Sequence, residues 1–531
     1  MVYLRESFAA VRPMFESKSK VETQSLIGTG QPISFRPLLT TALVLCILLV
    51  GLALRLYRVN YQSAWENEAF SLNVSHLPFH EMKAKLVEDF VHPPLHYYLL
   101  HEVFREFGFG DYPARLVSAV FGTLTIIAIF LLAQYLFDTS TGLIAAVLMA
   151  MSQLAIMYSQ EARPYSMAVC LTAFAIYFFC VALRERNGLA WCGFVIFSIL
   201  MLYTHYYAGM IMACLYVYGL FRRKQFRIPA LWWLLALLAL AAAFVPWLTS
   251  GVVGKALGSP KVTRVNQAPW YTAHWSTFFQ DLNRFNNGYI RGLLDSSPWW
   301  CFIAGGLLFS LPVLLALKPR VAPGAAPGAK SLDLENSLLL AILWLAPHIT
   351  LVGLGLMGMQ YDVRYVLFCI VPYYVLVARG IMTIPVLGWR SAWVAGIVLF
   401  SGFALRANYF VPYKEDYRAA LLHVAKAQQP GDCVLFYPVG ILPRAWSVYQ
   451  VGWTLPRIVG MEASGLNADS CDRVWLVKYE RMGVKKDELR RLEQKLQPSF
   501  IRAEEQQYFW VGTTLFERQQ LSSKVLTPSA P

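Results

Sequence analysis

Two glutamates in one short polar stretch, Glu66 and Glu68 within Trp65-Glu66-Asn67-Glu68-Ala69-Phe70-Ser71, are the first residues whose type and spacing point to chemistry. They follow directly on an apolar stretch, and a carboxylate held there can take the proton of an attacking hydroxyl. Further along stand His92 beside Pro93-Pro94, then Gln160, Glu161 and Arg163 in one turn, then His205, then Asp362 with Arg364. Arginine pairs with phosphate in a fixed fork, so Arg163 and Arg364 are candidates for an anionic group. Each has a plainer reading. Glu66 and Glu68 suit a solvated loop as well. Glu161 with Arg163, and Asp362 with Arg364, could be ordinary ion pairs worth ~0–1 kcal/mol if exposed. A histidine beside prolines is more often a cap or loop residue than a ligand. Their setting weighs against those readings, because ionisable residues near membrane depth are functional candidates by default.

The membrane setting comes from composition. Of 531 residues, 57% are hydrophobic and 15% charged, against about 25% charged in an average soluble domain. Disorder, collagen and nucleic-acid binding through a basic tail are excluded on that count. A net charge of +14 then suggests basic cytoplasmic loops rather than a nucleic-acid partner. Apolar stretches near 37–57, 113–137, 141–160, 164–183, 189–204, 206–221, 229–249, 299–317, 336–357, 365–384 and 391–410 predict about eleven spans. The basic turn Arg222–Arg227, with Arg184–Arg186, Lys318–Arg320 and Arg379–Arg390, falls on one side by alternation, and the positive-inside tendency makes that side cytoplasmic. The segment 1–36 joins it, and the first span reads as a retained anchor rather than a signal peptide. The Pro/Gly/Ala stretch Val321–Ala329 reads as a flexible cytoplasmic linker.

The outer side then receives a loop of 58–112, a second loop of 250–298, short turns near 161, 205 and 361, and a tail of 411–531. Every candidate above falls on that side. In the first loop, Phe79, Met82, Leu86 and Phe90 recur at helical spacing, and after two prolines so do Leu95, Tyr98, Leu99, Val103 and Phe107. Both stretches suit helices lying in the interface plane. The tail reads as a helix over Lys414–Gln429, strands over Cys433–Tyr437 and Val474–Val477, a helix over Lys485–Leu496 and a last strand over Tyr508–Phe516, a small α/β domain acting as a lid or docking module. No C-x-x-C metal spacing occurs among the nine cysteines. Cys433 and Cys471 are either a disulfide, if the tail is outside, or two buried thiols.

Five segments resemble the motifs of bacterial GT-C fold glycosyltransferases, relatives of the protein O-mannosyltransferases (glycosyltransferase family 39) and of the lipid A aminoarabinose transferase. They are Trp65–Ser71, His92-Pro93-Pro94-Leu95-His96-Tyr97-Tyr98, Ala114-Arg115 through Gly122, Tyr158-Ser159-Gln160-Glu161-Ala162-Arg163-Pro164-Tyr165, and Arg364-Tyr365 with Pro372. The resemblance covers roughly 37–410. It implies a GT-C-like transmembrane catalytic domain at 37–410 and an extracytoplasmic α/β domain at 411–531. The implied activity is transfer of a sugar from a polyprenyl-phosphate carrier to an acceptor hydroxyl of a protein, lipid or glycan, at the outer face of the bacterial inner membrane. Glu68 aligns with the family's glutamate and is the expected base, with Glu66 close behind. Arg163, Arg364, Tyr165 and Tyr365 are expected to bind the donor phosphate, and His92, Gln160, Glu161 and Asp362 to line the site. The family's loop usually reads Asp-Glu where this chain has Asn67-Glu68, and asparagine cannot serve as a base. No cofactor is implied with certainty, and a divalent cation stays open. The competing readings are a transporter or flippase of lipid-linked sugars, and an inactive GT-C relative acting in assembly.

Overall fold

The computed structural model describes residues 35–257, 273–288, 299–318, 329–437, 442–450, 457–458, 471–480 and 486–519. The expected cytoplasmic segment 1–36, the linker Val321–Ala329 and much of the loop 250–298 lie largely outside the described residues. The chain divides into two units, Met1–Leu43 and Val44–Pro531, and the second holds the candidate site residues and the sheet.

Long apolar helices dominate. Among the described residues, seven are long and apolar enough to cross a membrane, or eight if one bent pair counts as a span. In chain order the helices are α1 Pro37–Leu56, α2 Glu66–His76, α3 Phe79–Asp89, α4 Leu95–Phe107, α5 Asp111–Leu136, α6 Thr139–Met151, α7 Gln153–Ser159, α8 Tyr165–Glu185, α9 Gly188–Leu202 and α10 Gly209–Phe226. They continue with α11 Ala230–Leu257, α12 Thr277–Asn287, then α13 Trp300–Ala316, α14 Leu332–Leu356, α15 Val363–Thr383 and α16 Leu387–Phe410. Ten of the eleven apolar stretches read from the sequence fall largely on one of these helices each, and 141–160 is divided between α6 and α7. α9 and α13 are shorter, and α10, although 18 residues long, is made too polar for a span by Arg222, Arg223 and Lys224 near its end.

The expected single span 141–160 is broken. α6 and α7 meet at a bend of 58°. Ser152 makes the break, because its hydroxyl accepts from the Ala155 amide at 3.3 Å and starts a new helix. The carbonyls freed at the end of α6 are taken up by Arg55, whose guanidinium donates to Met149 O at 3.1 Å and Ala150 O at 3.4 Å. A cation at a helix C-terminus also complements the helix dipole. The neighbouring helix α5 comes so close here that a Cβ on Gly122 would meet Ser159 Oγ at 2.1 Å and Arg55 Nε at 2.9 Å. α7 ends at Ser159, and Gln160–Arg163 form a compact turn before Pro164 starts α8.

The first loop differs from its reading in two ways. Glu66 and Glu68 are not in a loop but in the first turn of α2, where a carboxylate complements the helix dipole. In α4 the inward face is His96, Tyr97, Leu100 and Phe104 rather than the expected stripe, and Phe107 is largely exposed. The most apolar face of a helix in this setting has lipid as an alternative to protein, so apolarity alone does not tell the inner face.

The C-terminal part is a mixed sheet flanked by helices. Its helices are α17 Tyr417–Ala427, α18 Leu442–Gln450 and α19 Lys486–Leu496, and its strands are β1 Asp432–Tyr437, β2 Arg457–Ile458, β3 Arg473–Tyr479, β4 Phe500–Tyr508 and β5 Val511–Arg518. The order is β2-β1-β3-β5-β4. β1 runs parallel to β2 and β3, and β5 runs antiparallel to β3 and β4. β1 and β3 are buried on both faces, which fits their unbroken apolar runs. Val434, Phe436, Trp475 and Val477 pack under α17 and α18 and on toward Leu72, Leu100 and Ala114 of the first loop and α5. Leu435, Val474 and Leu476 pack against Leu492 and Leu496 of α19. β4, an exposed charged edge strand, and α18 were not read from the sequence. Cys433 and Cys471 form a disulfide, with Cα atoms 5.8 Å apart.

Candidate functional site

The site is built where the break between α6 and α7 brings the turn Gln160–Pro164 against the N-terminus of α2. Glu68 lies at the junction and is fully buried. Its Oε1 accepts from Arg115 Nε at 2.8 Å and from the Ala162 amide at 2.9 Å. Its Oε2 accepts from Arg115 Nη2 at 3.0 Å and from Lys414 Nζ at 2.8 Å. Burial alone would raise this carboxyl, but Arg115 and Lys414 outweigh it and hold it at about 2. Arg115 is fixed in turn by the carbonyls of Val59, Gln62 and Ser63. A carboxylate with four donors on its two oxygens is a lock between α2, α5 and the turn.

Glu66 is different. Its side chain is 38% exposed and pairs with Arg444 of α18 at 3.0 Å. Partial burial raises its carboxyl, Arg444 offsets this in part, and Glu415 adds to the rise. Asn67 contributes its carbonyl, which accepts from Arg163 Nη1 at 3.0 Å.

Arg163 is 2% exposed. It donates to Asn67 O, to Ser71 Oγ at 3.0 Å, to Tyr97 Oη at 3.4 Å and to His92 Nε2 at 2.7 Å. None of these is a carboxylate, and among the described residues Arg163 has no ion-pair partner. Its Nε has no hydrogen-bond partner there either. His92 is the bridge from Arg163 to Asp89, whose Oδ2 lies 2.7 Å from Nδ1. An arginine can only donate, so Nε2 accepts and the proton sits on Nδ1. Burial, and then Arg163, push His92 below its usual value, so it is neutral. His205 is also buried, and burial followed by the charge effects of His92 and Arg163 depresses it to about 3.

Arg364 closes the opposite side. It pairs with Asp362 at 2.7 Å and sits 5.5 Å over the Trp65 ring, while its Nε is unpartnered among the described residues. Burial would raise Asp362, but Arg364 more than cancels this and lowers it. Glu161 lies in the field of Lys414, Glu68, Arg364 and Arg163. One of its oxygens has no hydrogen-bond partner among the described residues. Burial is the largest influence on it and raises its carboxyl.

The structure therefore gathers Glu68, Asn67, His92, Glu161, Arg163 and Arg364 around one centre, with Glu66 at its open edge. Tyr165 stands 5.7 Å from the Arg163 guanidinium, and Tyr365 packs on Tyr207 at 5.4 Å. Gln160 does not face the centre. Its amide donates to Arg55 O and Tyr57 O and accepts from Asn408, so it tethers the turn to the end of α1. Arg115 stands in a motif segment but was not singled out. Lys414 opens the helix expected over Lys414–Gln429, and nothing else in its surroundings in the sequence marks it. No group of three or more His, Cys, Asp or Glu side chains suited to a metal occurs among the described residues.

Residues 91–249 match the family model described as dolichyl-phosphate-mannose-protein mannosyltransferase. Over nearly its whole length the chain is similar in structure to ArnT from Cupriavidus metallidurans bound to undecaprenyl phosphate. The TM-score is 0.56 at 14% identity, covering 91% of this chain and 98% of that one. The chain has the GT-C fold. The apo form of the same ArnT gives a TM-score of 0.55 at 13% identity, covering 90% and 97%. No curated protein matches the chain in sequence. The described residues hold several helices long and apolar enough to cross a membrane, and the family model matched over 91–249 is that of a glycosyltransferase. That segment includes His92, the turn Gln160–Pro164 and His205.

Proposed function

We propose that this protein transfers a sugar from a polyprenyl-phosphate carrier to an acceptor hydroxyl at the extracytoplasmic face of the membrane, inverting the anomeric centre. The observation that carries this is Arg163, a buried guanidinium without a carboxylate partner among the described residues and with an unused donor. Such a group is costly to bury unless an anion arrives. Arg364 offers a second unused donor close enough to influence it electrostatically. Together they suit a phosphate whose charge grows as the sugar leaves. Neutral His92 keeps the Arg163 fork oriented without competing for its charge. The ArnT match, solved with undecaprenyl phosphate, supports the same donor class. The disulfide Cys433–Cys471 supports an oxidising compartment for the C-terminal domain.

In this reading the acceptor proton goes to a carboxylate as the hydroxyl oxygen attacks the anomeric carbon. The carbon–oxygen bond to phosphate breaks, and its electron pair stays on the phosphate. Glu66 suits the base better than Glu68: it is accessible and its carboxyl is raised, whereas Glu68 is saturated with donors. The sugar, the acceptor and the carrier length are open to direct test. Purified protein incubated with a panel of polyprenyl-phospho-sugars is expected to release or transfer one sugar, read by mass spectrometry. Turnover of none would support the second reading, an inactive GT-C relative. That reading is favoured by Asn67 in place of the family's aspartate and by the locked state of Glu68.

A further inference from the structure

Lys414 lies between the last membrane helix and the C-terminal sheet domain, yet its side chain is 3% exposed. It enters the site from outside every motif segment. Its Nζ is 2.8 Å from Glu68 Oε2 and 3.7 Å from Glu161 Oε1. The segment that carries it is pinned on both sides. The amides of Tyr413 and Lys414 donate to Gln62 Oε1 at 3.1 and 3.0 Å. On the other side, Glu415 accepts from Tyr479 of β3 at 3.0 Å, and the Asp416 amide donates to Phe509 O at 3.0 Å. The domain itself is fastened to the rim of the site by Tyr449 on Ser63 and Ala64, and by Arg418 on Asn60 and Asp111.

We propose that Lys414 is a positioning residue of the donor site, an ammonium that the docked C-terminal domain inserts between Glu68 and Glu161 to hold the Glu161 carboxyl beside Arg163 and Arg364. This rests on the proposed function. Its consequence concerns the unpartnered oxygen of Glu161. As an acid, that carboxyl can donate a hydrogen bond to a phosphate oxygen; as a carboxylate, it repels the phosphate. The charged and titratable groups facing it are Lys414 and Tyr413 from the segment after α16, Glu68 from α2, Arg364 from α15 and Arg163 from its own turn. Burial and Glu68 favour the acid, while Lys414, Arg364 and Arg163 favour the carboxylate, with Lys414 the largest of the three. Lys414 therefore sets the pH above which phosphate is expelled. It also makes that setting depend on a docked C-terminal domain.

The test measures binding of polyprenyl phosphate to the full-length protein in detergent as a function of pH, for wild type, Lys414→Met, Lys414→Arg and Glu161→Gln. The second ionisation of the probe, near pH 6, is common to all four, so the readout is the difference between profiles. An opposite charge within ~4–6 Å moves a carboxyl by about 1–3 pH units. Lys414→Met is expected to carry the loss of affinity upward by that amount. Lys414→Arg should keep the wild-type profile, and Glu161→Gln should lose only the component attributed to Glu161. A Lys414→Met profile superimposable on wild type overturns the inference, and so does a Glu161→Gln profile that keeps the full pH dependence. If Lys414→Met does not fold, Glu161→Gln decides alone. Absence of polyprenyl-phosphate binding by wild type at any pH overturns the proposed function itself, which is a different outcome.

Discussion

Glu66 and Glu68 are separated by one residue, and the structure predicts opposite consequences for the same substitution at each. Glu68→Gln removes the charge that Arg115 and Lys414 share in a fully buried setting. The depression of this carboxyl from 4.5 to about 2 corresponds to roughly 3 kcal/mol of native-state stabilisation. That agrees with the ~3–5 kcal/mol lost when one partner of a buried pair is removed. Because the folded value lies below the unfolded one, this stabilisation is present above about pH 4.5 and disappears as pH falls toward 2. Glu66→Gln removes half of an exposed pair with Arg444, worth ~0–1 kcal/mol. Loss of a general base costs about 10²–10⁴-fold in rate. The assay is thermal unfolding in detergent alongside sugar transfer from a lipid-phosphate donor. Glu68→Gln is expected to lower the unfolding midpoint markedly and to lose activity with it. Glu66→Gln is expected to keep the midpoint and lose turnover. An unchanged midpoint in Glu68→Gln would refute the lock, and full turnover in Glu66→Gln would refute the base assignment.

Arg163→Lys keeps a charge but loses the planar fork, so transfer should fall by about 10²–10³-fold; a rate within threefold of wild type would count against a phosphate role. A second buried node holds α12 in place: Asp281 accepts from Tyr361 Oη at 2.5 Å and Arg284 at 2.9 Å, and lies 3.3 Å from His348. Asp281→Asn should therefore lower the unfolding midpoint, with a cost of about 3 kcal/mol, and an unaltered midpoint would show the node to be dispensable. Non-reducing gel mobility should differ between wild type and Cys471→Ser if Cys433–Cys471 forms in the cell, and identical mobility with and without reductant would contradict the bridge.

Apolar length was legible because it is additive: about twenty apolar residues carry the same message wherever they occur. The break in 141–160 was not, because it depends on a partner. Ser152 is an ordinary residue of an apolar run until Arg55, nearly a hundred positions earlier, supplies donors for the carbonyls that the break exposes. The inner face of α4 is hidden from periodicity for a related reason. Periodicity finds the apolar face of a helix, and in this fold that face has two possible neighbours, lipid and protein. In the sheet domain the buried strands β1 and β3 stood out as unbroken apolar runs. β4 did not, because an exposed edge strand rich in charge has no apolar pattern to read.

For the site, residue types and motif order located the right turns, and chemistry at each turn was then decided by partners from elsewhere. Glu68 and Glu66 are equivalent as letters, and resemblance ranked Glu68 first. Arg115 from α5, Lys414 from the far end of the chain and the Ala162 amide fill the acceptor positions of Glu68 while Glu66 stays near solvent, and on that ground we propose the reverse ranking. Asn67 takes on a different significance in the same light. Its carbonyl orients Arg163, a task any residue could perform, so the family's aspartate is not needed to hold the arginine in place. That guanidinium has no carboxylate partner among the described residues, which is why we propose a phosphate as its ligand.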